Sequence, residues 1–144
     1  MVSTFIASIQ NFEKFTTQNL RYIAAESVQD VMEHAMRPQP SVKRTGGTFE
    51  IGKIPVDTSD LIRSLRSSVG TGGGAMGETS YIAVIAGMDP HDVLTFEWTA
   101  KHAAPMEFGF TTKSGTTVPG RHFVGANAAR FSEFVERNAA EVRR

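Results

Sequence analysis

Cysteine is absent from the 144-residue chain, which excludes disulfides and thiolate metal sites and indicates no oxidising compartment. Charge of one sign is missing as well, since 15 Lys and Arg stand against 15 Asp and Glu. A duplex nucleic-acid binder would carry a strongly basic face, so this balance argues against that class while leaving room for a local basic patch. No apolar run approaches the ~20 residues of a membrane span. Met1-Val2-Ser3-Thr4-Phe5 lacks the basic and then apolar opening of a secretory signal. The expectation is a chain made and used in a cytoplasm, with one domain over 1–144 that is large enough for a single core.

Signatures of chemistry are equally scarce. The nucleophile elbow G-x-S-x-G does not occur, and neither does the G-K-[ST] of a phosphate-binding loop. The four histidines, His34, His91, His102 and His122, have no H-x-x-x-H or H-E-x-x-H spacing. Gly72-Gly73-Gly74-Ala75-Met76-Gly77 matches G-x-G-x-x-G, with Glu97 twenty residues further on. That fingerprint works only where the glycines open a helix facing a pyrophosphate. Here Tyr81 to Met88 reads as a nearly continuous apolar strand, so the glycines are expected at a hairpin tip. Lys113-Ser114-Gly115 lies in a polar stretch with no visible base. No cofactor and no metal is expected.

What is present has the periodicity of a mixed fold. Residues 4–36 contain neither Gly nor Pro, and Phe5, Ile9, Phe12, Leu20, Ile23, Val28, Val31, Met32 and Ala35 recur at helical spacing. Arg37-Pro38-Gln39-Pro40 ends the run. One continuous helix would reach about 50 Å at ~1.5 Å per residue, with Thr16-Thr17 as a candidate break. Residues 37–56 read as a loop with an extended piece at Thr48–Ile51. Asp57 suits an N-cap for a two-turn helix over Thr58–Arg66, with Asp60 in its first turn. Leu94, Phe96 and Trp98 alternate with Thr95 and Glu97 as a strand does. Ala103 to Phe108 suits a turn of helix, and residues 121–144 return to helical spacing. The fold class is therefore α+β: a long N-terminal helix, a short capped helix, an antiparallel sheet of three or four strands, and a C-terminal helix packed on it. The core of residues 57–144 would contain two flexible segments, 70–77 and 109–120. Val84, Leu94, Phe96, Trp98, Phe123 and Phe134 are the shared core.

Three stretches stand out in order: Ile54-Pro55-Val56-Asp57-Thr58-Ser59-Asp60-Leu61, Met106-Glu107-Phe108-Gly109-Phe110, and Pro119-Gly120-Arg121-His122-Phe123. Their order and spacing resemble the tail-completion or minor tail proteins of long-tailed bacteriophages. Those proteins carry P-V-D-T-G-x-L-R-x-S, a V-E-F-G-T-like turn and a P-x-R-x-F segment that opens the last helix. The resemblance covers residues 50–135. Ser59 stands where glycine is usual, Phe110 replaces a threonine, and His102 falls near a tyrosine frequent in the family.

The resemblance implies a structural virion protein of the head–tail junction that joins the capsid connector to the tail tube. It would assemble as a homo-oligomeric ring, with a hexamer favoured, beside neighbouring neck, tail-terminator and tail-tube proteins. DNA passing through the lumen would make at most an incidental contact. The assembly residues would be Pro55, Val56, Asp57, Thr58, Leu61, Glu107, Phe108, Gly109, Pro119, Arg121 and Phe123. The segment around Glu107 is expected to pack one aromatic into the core. A carboxylate buried at Glu107 needs a partner, and Arg121 is the candidate, in a structural rather than catalytic pair. Two rival functions remain at this level. One is a cytoplasmic adaptor dimerising through the long helix. The other is a small hydrolase using Asp57, Asp60 and a histidine.

Overall fold

A computed structural model describes residues 2–70 and 74–143, with side chains from Thr16 onward. The chain is α+β. Helix α1 (Val2–Ala35) is one uninterrupted element of 34 residues, or about 50 Å, with no break at Thr16-Thr17. The expected contributions of Phe5, Ile9 and Phe12 lie outside the described side chains. Strand β1 (Pro38–Pro40) follows, then the single turn α2 (Val42–Thr45) and strand β2 (Ile54–Val56). β1 and β2 pair in parallel, Pro38 opposite Ile54. The anticipated extended piece at Thr48–Ile51 is not a strand. Buried Gln39 holds that stretch instead: its Nε2 donates to the carbonyls of Glu50 (2.8 Å) and Lys53 (2.6 Å), and its Oε1 accepts from the Glu50 amide (2.7 Å).

Next come α3 (Asp60–Arg63), β3 (Leu65–Val69), β4 (Ala75–Met76), α4 (Ser80–Ala86) and β5 (Leu94–Trp98). The sheet is antiparallel in the order β4-β3-β5, with Leu65 opposite Trp98 and Val69 opposite Leu94. Helix α3 is one turn, where two had been expected, because Leu65 and the residues after it are taken into the central strand. Tyr81–Ala86 is helical rather than extended, and Met88 lies just beyond the helix end. Tyr81, Ile85 and Met88 are buried, at spacings of four and three, while Ile82 faces out. A helix thus does follow the glycine-rich segment. It still makes no dinucleotide fold, because that needs a parallel strand–helix–strand unit and both neighbours of β3 run antiparallel.

The chain closes with α5 (Ala103–Phe108), the hairpin β6 (Gly109–Thr111) and β7 (Thr117–Pro119), and helices α6 (Gly125–Ala128) and α7 (Phe131–Val142). Residues 109–120, expected to be loose, form a paired hairpin with Phe110 opposite Val118. The core gathers Met32, Met36, Ile54, Leu61, Ile62, Leu65, Tyr81, Ile85, Met88 and Phe123. Of the six expected core residues, Phe123 and Phe134 are buried, and Val84, Leu94, Phe96 and Trp98 are half-buried.

The helices are fastened by polar groups as much as by apolar ones. Asn138 Nδ2 donates to Asp30 Oδ2 (3.0 Å) and Ser27 Oγ (3.2 Å), and Arg137 Nη2 donates to the same Asp30 oxygen (2.9 Å). Phe134 is fully buried beside them, with its ring 5.2 Å from that of His34 and the Arg130 guanidinium 4.7 Å from its centroid. These contacts lay α7 along α1. Arg21 of α1 closes the end of α4, with Nε donating to the Met88 carbonyl (2.8 Å) and Nη2 to that of Ala86 (3.0 Å).

Leu65 is inaccessible to solvent, whereas Val93 is 69% exposed. Leu65→Ala should lower the unfolding free energy by about 2–5 kcal/mol in urea titration, from lost burial and a residual cavity. Val93→Ala should change it by less than about 0.5 kcal/mol.

Candidate functional site

The second and third stretches are bound to each other through the backbone. The Arg121 amide donates to the Met106 carbonyl (2.9 Å) and the His122 amide to the Glu107 carbonyl (3.1 Å). Gly109 pairs with Pro119 in the hairpin. The two glycines here have a steric reason. Gly109 has φ +93°, and a Cβ on it would sit 2.7 Å from the Val118 carbonyl oxygen. A Cβ on Gly120 would collide with the Glu107 carbonyl. The E-F-G turn is thus a place where two backbones touch.

Glu107 is buried, and its partner is not the expected Arg121. Its Oε1 accepts the Val124 amide (2.9 Å) and its Oε2 the Gly125 amide (2.8 Å). The carboxylate caps the start of α6, where unpaired amides converge, and so needs no cation. Phe108 is 73% exposed rather than the aromatic packed into the core. Phe123 fills that role, edge-on to Trp98 with ring centroids 5.4 Å apart.

Arg121 is 1% exposed. Its Nη1 donates to the Pro119 carbonyl (3.2 Å), and its guanidinium lies 5.1 Å from the Phe49 ring centroid. Its Nε is buried without a hydrogen-bond partner, and no carboxylate among the described residues pairs with it. Burial lowers its pKa from the ordinary arginine value.

The first stretch completes the site. A cavity of about 410 Å³ is walled by Pro55, Asp57, Thr58, Ser59, Asp60 and Leu61 on one side and by His102, Met106, Phe110 and Arg121 on the other. Ser41, Val42 and Lys43 close it, and the Ser41 hydroxyl is also buried without a partner. Of the expected assembly residues, Pro55, Asp57, Thr58, Leu61 and Arg121 line this cavity. Glu107, Gly109 and Pro119 build the frame behind it, Val56 and Phe123 join the core, and Phe108 faces outward. Ser41–Lys43 carried no signal in the sequence.

Asp57 is not a helix cap. It is exposed, with its carboxylate 3.8 Å from Lys43 Nζ and 3.7 Å from Arg44 Nε. The residue before α3 is Ser59, at φ +69° and without a side-chain cap bond. That left-handed conformation favours glycine. Asp57 and Asp60 line the cavity together with His102. Among the described residues no three His, Asp or Glu side chains could hold a metal ion. No described helix is long and apolar enough to cross a membrane. In comparisons with known proteins the chain matches no family model, no curated protein and no solved structure.

Two substitutions at this site should have opposite signs. Ser59→Gly relieves the left-handed strain and should raise stability by on the order of 0.5–1 kcal/mol, net of the added freedom of the unfolded chain. Gly109→Ala adds both strain and overlap and should cost on the order of 3 kcal/mol. Thermal melts of the three proteins measure both.

Proposed function

We propose that this protein is a structural component of a bacteriophage head–tail junction, acting by docking and without catalysis. The observation that carries the reading is the meeting of the three stretches at one place. The first ends at Leu61 and the second begins only at Met106, yet all three contribute to the wall of a single cavity, and Glu107 and Gly109 of the second frame it. A resemblance resting on their order and spacing is thereby supported by a shared structural task. Ser59 adds support, since the position where the family has glycine is one that demands glycine's backbone freedom.

The protein would close into a ring, with a hexamer favoured, through heterologous contacts between copies. It would sit between the capsid connector and the tail tube, in the virion when mature and in the host cytoplasm during assembly. Helix α1 suits such a role, because an element of about 50 Å offers a surface beyond what a domain of 144 residues needs for its own core. The exposed side chains of Leu20, Tyr22 and Phe108 are available for contacts of that kind.

Deleting the gene from the phage or prophage that carries it, followed by electron microscopy of the lysate, tests the reading. Filled heads separate from tails, or tails with a malformed upper end, are the expected result. Normal joined particles would overturn it and leave the adaptor dimerising through α1 as the leading account.

A further inference from the structure

We propose that the cavity over Arg121 is a carboxylate-binding site whose occupant is an acidic residue, flanked by an aliphatic or aromatic one, on a protein segment of an adjoining subunit. The identity of the partner rests on the joining role above; the chemistry of the pocket does not.

The argument starts from an uncompensated charge. Arg121 is 1% exposed, and taking a guanidinium out of water is costly unless an anion and hydrogen bonds replace the lost hydration. Inside the protein it has one hydrogen bond of 3.2 Å to a carbonyl, and its Nε has no partner. The obvious internal anion is engaged elsewhere, because both Glu107 oxygens are bound to backbone amides. A carboxylate from outside would supply the missing acceptor, and arginine's planar fork matches it in two parallel bonds.

Three further features narrow the ligand. The Ser41 hydroxyl is a second buried and unpartnered polar group on the same cavity. Val42, Leu61, Met106 and Phe110 give the cavity apolar walls, so an aliphatic or aromatic group beside the carboxylate would be buried with it. Asp60 stands at the exposed rim, where Asp57 is paired with Lys43 and Arg44. The Asp60 carboxylate would repel a phosphate dianion more strongly than a carboxylate monoanion. The volume of about 410 Å³ falls within the range of sites that enclose a small group.

The test is to follow the Arg121 Nε–H signal in ¹⁵N-labelled full chain by NMR. The probes are the peptide acetyl-Leu-Glu-Leu-amide, its Gln counterpart, N-acetylleucine and inorganic phosphate. The Glu peptide should move the Arg121 signal saturably, and the Gln peptide should bind at least tenfold more weakly. N-acetylleucine should be weaker than the Glu peptide, and phosphate should leave the signal in place. Val42→Trp, which fills the cavity without touching the charge, should abolish the response while keeping the fold. Arg121→Gln assigns the signal where that variant folds.

An unmoved Arg121 signal, or equal binding of the Glu and Gln peptides, would overturn the site. N-acetylleucine binding as tightly as the peptide would overturn the protein segment as its occupant. The lysate experiment is independent of these outcomes. Peptide binding together with normal joined particles in the deletion would overturn the joining role and keep the pocket, and the reverse pattern would do the opposite.

Discussion

The carboxylate of Glu107 holds the site together. It lies at the end of α5, and its two oxygens accept the amides of Val124 and Gly125 at 2.9 and 2.8 Å. Between those positions the chain leaves, folds into the β6–β7 hairpin and returns. Closing that loop fixes Arg121 and Phe123 on the returning limb. Phe123 then packs on Trp98 in the core, and Arg121 is left in the wall of the cavity. Two charge-assisted bonds in a buried setting are stronger than neutral ones. They would be costly to break, because the carboxylate would remain buried without partners. The glycines at 109 and 120 belong to the same constraint, since they let the two backbones approach closely enough for the carboxylate to reach.

Much of the fold was legible because some periods are long and unambiguous. Helix α1 follows from a Gly-free and Pro-free run with apolar residues at helical spacing, and β5 from the alternation of Leu94, Phe96 and Trp98. Tyr81–Met88 was misread for an equally definite reason. Ile82, Val84 and Ile85 favour strands, and the alanines at 83 and 86 hide the spacing of Tyr81, Ile85 and Met88 by being apolar yet exposed. Asp57 is a good cap by type, so the sequence pattern places the start of α3 too early. The left-handed turn at Ser59 delays the helix and leaves Asp57 to Lys43 and Arg44.

The site was half legible. The sequence shows that a carboxylate buried beside the aromatic–glycine turn would need a partner. Its true partners are main-chain amides, which carry no letter in a sequence. Pairing Glu107 with Arg121 was the natural inference from side chains alone, and its failure is informative. It shows that the buried cation and the buried anion are satisfied separately, one of them inside the chain and the other incompletely. The apolar walls of the cavity and its two cations, Arg121 and Lys43, then suit recognition of an anionic group, in keeping with the joining role proposed above.

The most direct test of this account is amide hydrogen exchange on Glu107→Gln beside the parent protein, with urea unfolding of both. The substitution preserves shape but turns one acceptor into a donor facing an N–H. It should lower stability by about 1–3 kcal/mol, and protection should fall first at the Val124 and Gly125 amides and across the hairpin. Unchanged stability, with those two amides as protected as before, would contradict the claim that this carboxylate assembles the site.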